Sequence, residues 1–157
     1  MQIRVAAATA TGATPLAAFD RALQKVGVHD LNLIPLSSVV PVGASVVRAT
    51  CDPAEFRIGD RLSCVLATER VTEPGSEAWA GLGWTLSSAG GGLFVEAHGR
   101  SRGQVAFELE ATLEQLTLDR VRGGWDKSDF ELVGIAYEHE PVCALAIAVF
   151  ETMPWST

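Results

Sequence analysis

The chain has 157 residues, 48% of them hydrophobic and 20% charged, with a formal net charge of −7. That length fits one globular domain, able to bury roughly 70% of the surface its unfolded form exposes. The acidic balance argues against binding nucleic acid, which depends on Lys and Arg neutralising phosphates, and no stretch is long and apolar enough to span a bilayer.

Residues 2–8 alternate and are partly β-branched, which reads as a strand. Residues 9–13 read as a small-residue loop. The N-terminal segment carries one Arg and small residues, but threonines interrupt its apolar run, so it reads as part of the fold rather than a leader. Thr14 can cap a helix whose first position suits Pro15. Leu16, Phe19, Leu23 and Val26 follow at helical spacing, and Gly27 ends the helix. Asp20 falls beside this apolar stripe.

A short apolar strand is expected over residues 31–36, and another over 44–49. Residues 51–59 read as a loop. Strands over 61–70 and 78–86 are separated by a Pro74-Gly75 turn. The glycines at 90, 91 and 92 turn into a strand over 93–98. Ser101 and Gln104 give a capping-box signature for a helix to about Leu118, with Val105, Leu109, Leu113 and Leu116 on its buried face. After Gly123-Gly124, strands are expected over 130–137 and 142–150, with a loose tail from Thr152. Two long helices and about eight strands, without βαβ alternation, indicate an α+β fold with mainly antiparallel sheets.

Cys51, Cys64 and Cys143 are odd in number and form no CxxC pair. They read as free thiols in a reducing compartment, expected to be the cytoplasm. Cys64 and Cys143 lie in apolar runs and read as core. His29, His98 and His139 have no ligand spacing, so no metal is expected, and the glycine cluster lacks the spacing of a phosphate loop.

The segment Asp30-Leu-Asn-Leu-Ile-Pro-Leu-Ser-Ser-Val-Val-Pro41 puts two serines where an apolar strand should end. Local composition alone reads them as turn formers. In context, Thr14-Pro-Leu with Phe19-Asp20 and Leu23, then Asn32-Leu-Ile, then Ser37-Ser38 and Pro41, resembles the pyruvoyl-dependent arginine decarboxylases. The resemblance resumes at Pro74-Gly75, at Gly92-Leu-Phe-Val-Glu96, and over Ile135-Ala with Glu138-His139 and Cys143-Ala144.

The resemblance implies an α/β/β/α-type sandwich and self-cleavage between Ser37 and Ser38. The Ser38 hydroxyl would attack the Ser37 carbonyl, and Ser38 would become a covalent pyruvoyl group, with no metal and no pyridoxal phosphate. Chains 1–37 and 38–157 would result. Arginine would form a Schiff base on that group and leave as agmatine and CO2. Asn32 would help stabilise the processing oxyanion. Glu96 would protonate the α-carbon, a role suited to a buried carboxyl of raised pKa. Asp20 would receive the guanidinium, and Leu23 would line the pocket for the aliphatic stem. A homo-oligomer, a trimer or pair of trimers, is implied.

The sequence departs from the family at three places. Glu77 follows Pro74-Gly75 one position late, His98 stands where a second glutamate is common, and residues 49–59 are unlike the family. Two other readings stay open from sequence. One is an uncleaved relative that binds a cationic metabolite or partners an active paralogue. The other is a pyruvoyl decarboxylase for another amino acid.

Overall fold

The computed structural model describes residues 1–121 and 123–155. In chain order the elements are β1 (Gln2–Thr11), α1 (Pro15–Val26), β2 (Asn32–Pro35), β3 (Val39–Val40), β4 (Ser45–Arg48), a 3-10 turn (Pro53–Glu55), β5 (Arg61–Val71), β6 (Glu77–Leu86), β7 (Gly92–Gly99), α2 (Arg102–Leu118), β8 (Asp129–Ala136) and β9 (Val142–Met153).

The caps fall where the sequence puts them. Thr14 Oγ1 accepts from Ala17 N at 3.1 Å, with Pro15 in the first turn. Gly27 ends α1 at φ 84. A side chain there would also sit 2.0 Å from the Cys51 carbonyl oxygen, so only glycine fits. Ser101 Oγ accepts from Gln104 N at 3.4 Å and opens α2.

The strands form two sheets, ordered β2-β5-β9-β1-β4 and β3-β7-β6-β8. Burial along β9 shows how they stack. Val142, Ala144, Ala146, Ala148 and Phe150 face the space between the sheets, packed against β5 and β6 residues such as Val65 and Leu82. Cys143, Leu145, Ile147 and Val149 face the other way, onto Ala18, Ala22 and Val26 of α1. Strand alternation thus makes β9 buried on both faces, which explains its continuous apolar run. On the second sheet Leu93, Val95 and Ala97 meet Val105, Leu109 and Leu113 of α2. The layers are therefore helix, sheet, sheet, helix, as expected.

Pairing is antiparallel except at the two edges of the five-stranded sheet, where β2 runs parallel to β5 and β4 parallel to β1. All three cysteines are free and buried. Burial pushes the Cys64 thiol up to about 11. No described helix is long and apolar enough to cross a membrane.

Three local expectations need correction. β1 continues through Thr11, because β9 pairs with it as far as Val142, so residues 9–11 are strand rather than loop. Val39 and Val40 form a strand of their own, β3, on the second sheet. The tail is held through residue 155. β9 reaches Met153, Arg61 Nη2 donates to Pro154 O at 2.8 Å, and Trp155 Nε1 donates to Gly59 O at 2.8 Å beneath the Arg61 guanidinium.

Candidate active site

The chain changes sheets at the serine pair. Leu36 N donates to Cys64 O at 2.9 Å, the last bond to the five-stranded sheet. Two residues later Ser38 O accepts from Phe94 N at 2.8 Å, and β3 then pairs with β7. The peptide bond joining Ser37 to Ser38 spans this switch. So short a crossing forces a sharp bend, and Ser38 takes φ 64, the one non-glycine residue at positive φ among those described. An L-residue held there costs roughly 1–2 kcal/mol. Strain of this kind persists only where the surrounding ladders impose it, and it gathers at functional positions.

β7 brings a carboxylate to the same point. Leu93, Val95 and Ala97 face α2, so Phe94, Glu96 and His98 take the opposite face. β3 covers β7 only at Gly92 and Leu93, which leaves Glu96 exposed on the uncovered length. Ser38 Oγ donates to Glu96 Oε2 at 2.8 Å. This is a charge-assisted hydrogen bond that also puts a proton acceptor on the hydroxyl. In the single chain Glu96 is therefore not the buried carboxyl that the sequence reading allowed for.

A pocket of about 350 Å3 opens beside the pair. Ser37, Ser38 and Glu96 line it together with Thr112, Leu116 and Arg120. The last three lie four apart, on one face of α2 and its C-terminal extension. Arg120 Nη1 donates to Leu116 O at 3.1 Å. The sequence reading did not single out Thr112 or Arg120. A basic residue just past a helix end reads first as a partner for the last carbonyls, and nothing local ties it to a serine pair eighty positions earlier in the chain.

The remaining candidates lie elsewhere in the chain. Asn32 begins β2, at the opposite end of that strand from Ser37, and its Nδ2 donates to Gly59 O at 2.6 Å. Asp20 is exposed on α1 and accepts from Gln24 Nε2 at 2.6 Å. Leu23 is 6% exposed and packs between α1 and the five-stranded sheet. None of the three lines the Ser38 pocket. The departures from the family have local uses. Glu77 Oε2 accepts from Trp79 Nε1 at 2.6 Å, and His98 Nδ1 meets Glu69 Oε2 of β5 at 2.6 Å.

Known proteins of similar sequence narrow the reading. A model of the pyruvoyl-dependent arginine decarboxylase family matches residues 2–153. A Thermococcus kodakarensis protein named pyruvoyl-dependent arginine decarboxylase is 34% identical over 149 residues, covering 92% of this chain and 91% of that one. A Pyrococcus furiosus protein of the same name is 36% identical over 146 residues, covering 91% and 90%. One from Halobacterium salinarum is 38% identical over 96 residues, covering 61% and 59%. With the match running through the sheet switch, the strained serine and the carboxylate on its hydroxyl, this chain belongs to the pyruvoyl-dependent arginine decarboxylase family.

Proposed function

We propose that the chain cuts itself between Ser37 and Ser38 and converts arginine to agmatine and CO2 with a pyruvoyl group derived from Ser38. The observation that carries this is the Ser38 hydroxyl, on a residue at φ 64, hydrogen-bonded at 2.8 Å to Glu96. A pyruvoyl group supplies a ketone that withdraws the electron pair released when a carboxylate leaves as CO2. The protein's own residues supply the rest.

For cleavage, Glu96 takes the hydroxyl proton as Ser38 Oγ adds to the Ser37 carbonyl. The strain at Ser38 supports this step, because breaking the peptide bond releases it. The new terminus at 38 stays on β7 through β3, and residue 37 stays on β5 through β2. In turnover Glu96 returns a proton to the substrate α-carbon. Its exposure supports renewal of that proton from solvent. The pocket brings together an acid, a space of about 350 Å3 and the position of the ketone, which supports this chemistry.

The guanidinium falls to Asp20, whose carboxylate suits a planar fork. Asp20 lies outside its own chain's pocket, which supports a homo-oligomer, a trimer or pair of trimers, in which a second copy completes each site. Ile34, Val39, Val42 and Ile58 are exposed apolar side chains on and around β2 and β3 and support the same reading. Leu23 is committed to core packing, so the specificity rests on Asp20. The three buried thiols support a reducing compartment, the cytoplasm.

Incubation with arginine, ornithine, lysine and glutamate in parallel tests the substrate. Arginine-dependent CO2 with stoichiometric agmatine is expected; release from another amino acid and none from arginine overturns the assignment.

A further inference from the structure

Arg120 is a partly buried cation that lines the pocket beside the scissile peptide and has no carboxylate partner among the described residues. It lines the pocket shared with Ser37, Ser38 and Glu96 and is its one cationic side chain. Arg4 pairs with Glu55, Arg48 with Asp129 and Glu131, and Arg100 with Glu73; Arg21, Arg57, Arg61, Arg70 and Arg102 make no ion pair among the described residues, but none of them lines this pocket. Among the described residues Arg120 makes no ion pair, and its bond to Leu116 O uses one of five guanidinium donors. The carboxylate that shares its pocket, Glu96, is engaged by the Ser38 hydroxyl.

Cleavage changes the charge of this pocket by one unit. Addition of Ser38 Oγ to the Ser37 carbonyl, with departure of the Ser38 nitrogen carrying a proton, gives an ester. Loss of the Ser38 α-proton to a base then breaks the bond between Cβ and Oγ. The electron pair of that bond goes out on Ser37 as a carboxylate, and residue 38 is left as an aminoacryloyl terminus. Water converts that terminus to the ketone and ammonia. The leaving group is thus an anion born beside Arg120.

We infer that Arg120 is the counter-ion of the Ser37 carboxylate, stabilising it as leaving group and afterwards holding the end of the short chain in the pocket. The inference rests on the Ser38 reading. A guanidinium fork matches a carboxylate, and a charge-assisted bond made only as the anion forms speeds the step that forms it. The pairing also cancels a fixed negative charge that would otherwise repel the carboxylate of an incoming amino acid.

The test follows cleavage rather than turnover. Freshly made wild type, Arg120→Gln and Arg120→Lys are sampled over time by denaturing mass spectrometry, with and without hydroxylamine, which splits an ester but not the peptide bond. The expected result is appearance of fragments 1–37 and 38–157 slowed about tenfold or more in the Gln variant and less in the Lys variant. Hydroxylamine should then split the Gln variant quickly, leaving a hydroxamate at 37 and an unaltered serine at 38, because the ester accumulates.

Cleavage of the Gln variant at the wild-type rate overturns the inference alone. So does a stalled Gln variant that hydroxylamine cannot split, since the ester then never forms. A wild-type chain that stays whole overturns the Ser38 reading and this inference together.

Discussion

The Ser38 hydroxyl and the Glu96 carboxylate, 58 positions apart in sequence, share a 2.8 Å hydrogen bond where the chain leaves one sheet for the other. Each partner is held by a different ladder: Ser38 by its carbonyl on Phe94 N, Glu96 by the pairing of β7 with β6. The contact is a consequence of topology, and it turns an ordinary hydroxyl into one with a proton acceptor attached and a strained peptide beside it.

Ser38→Ala removes the nucleophile and should leave an intact, inactive chain. Ser38→Gly should be equally uncleaved but more stable than the alanine variant by about 1 kcal/mol, because glycine accepts positive φ without the clash of a Cβ. Denaturant melts of the two variants check the strain separately from the chemistry. Equal stabilities would remove strain from the explanation.

Glu96→Gln separates the two duties given to Glu96. Gln can still accept the Ser38 hydrogen bond but cannot carry the proton. Fragments should form, more slowly, while agmatine production falls by roughly 10²–10⁴. Turnover near the wild-type value in fully cleaved Glu96→Gln would take Glu96 out of the decarboxylation.

The proposed completion of each site by a second copy makes a complementation result specific. Asp20→Asn and Ser38→Ala chains should each be inactive alone. Mixed oligomers, made by co-expression, should recover a fraction of wild-type activity, because some sites combine an intact Ser38 with an intact Asp20 from another copy. Activity that stays absent in verified mixed oligomers would place both residues in one chain's site.

Stability should respond to acid through the clamp that ties β4 to β8. Arg48 Nη1 donates to Asp129 Oδ2 at 2.8 Å, Nε donates to Glu131 at 2.9 Å, and the guanidinium lies 4.8 Å from the Trp84 ring centroid. The hydrogen bond from Arg48 holds the Asp129 carboxyl below the usual range. A depressed carboxyl contributes stability that is present above its unfolded pKa and lost as pH falls through the folded one. The pair is half exposed and screened, so Asp129→Asn should cost at most about 1 kcal/mol at neutral pH. Paired melts against pH should show the two proteins converging below about pH 4. A difference that persists there would mean the loss is one of packing.

Much of the layering was legible because apolar spacing is decided by local faces. The alternation of β9 reports two buried surfaces, and Leu23 and Val26 report the buried face of α1, although Leu16 of the same stripe is 66% exposed and Ala18 and Ala22 complete that face instead; Thr14, Gly27 and Ser101 announce helix ends by their own chemistry. What stayed hidden depends on distant partners. Val39 and Val40 are too few to read as a strand, yet β7 makes them one. Residues 9–11 have a loop's composition and become strand because β9 continues beside them. Trp155 is ordered by Arg61 and Gly59, far away in the chain.

The serine pair and Glu96 were legible only together, through family resemblance. Arg120 was missed because its neighbours in sequence explain it without the pocket. Leu23 stands at a spacing that fits a pocket wall as well as a core, and in the single chain it packs in the core.

The most direct test is the mass of the purified, fully matured protein under denaturing conditions, beside its native mass. Two fragments, 1–37 and 38–157, should appear after denaturation, the larger one with a reactive ketone in place of a free amine. They should travel as one particle natively, since β1 lies between β9 and β4 and β2 lies on β5. A single unbroken chain with an unmodified serine at 38 after long incubation would contradict self-cleavage.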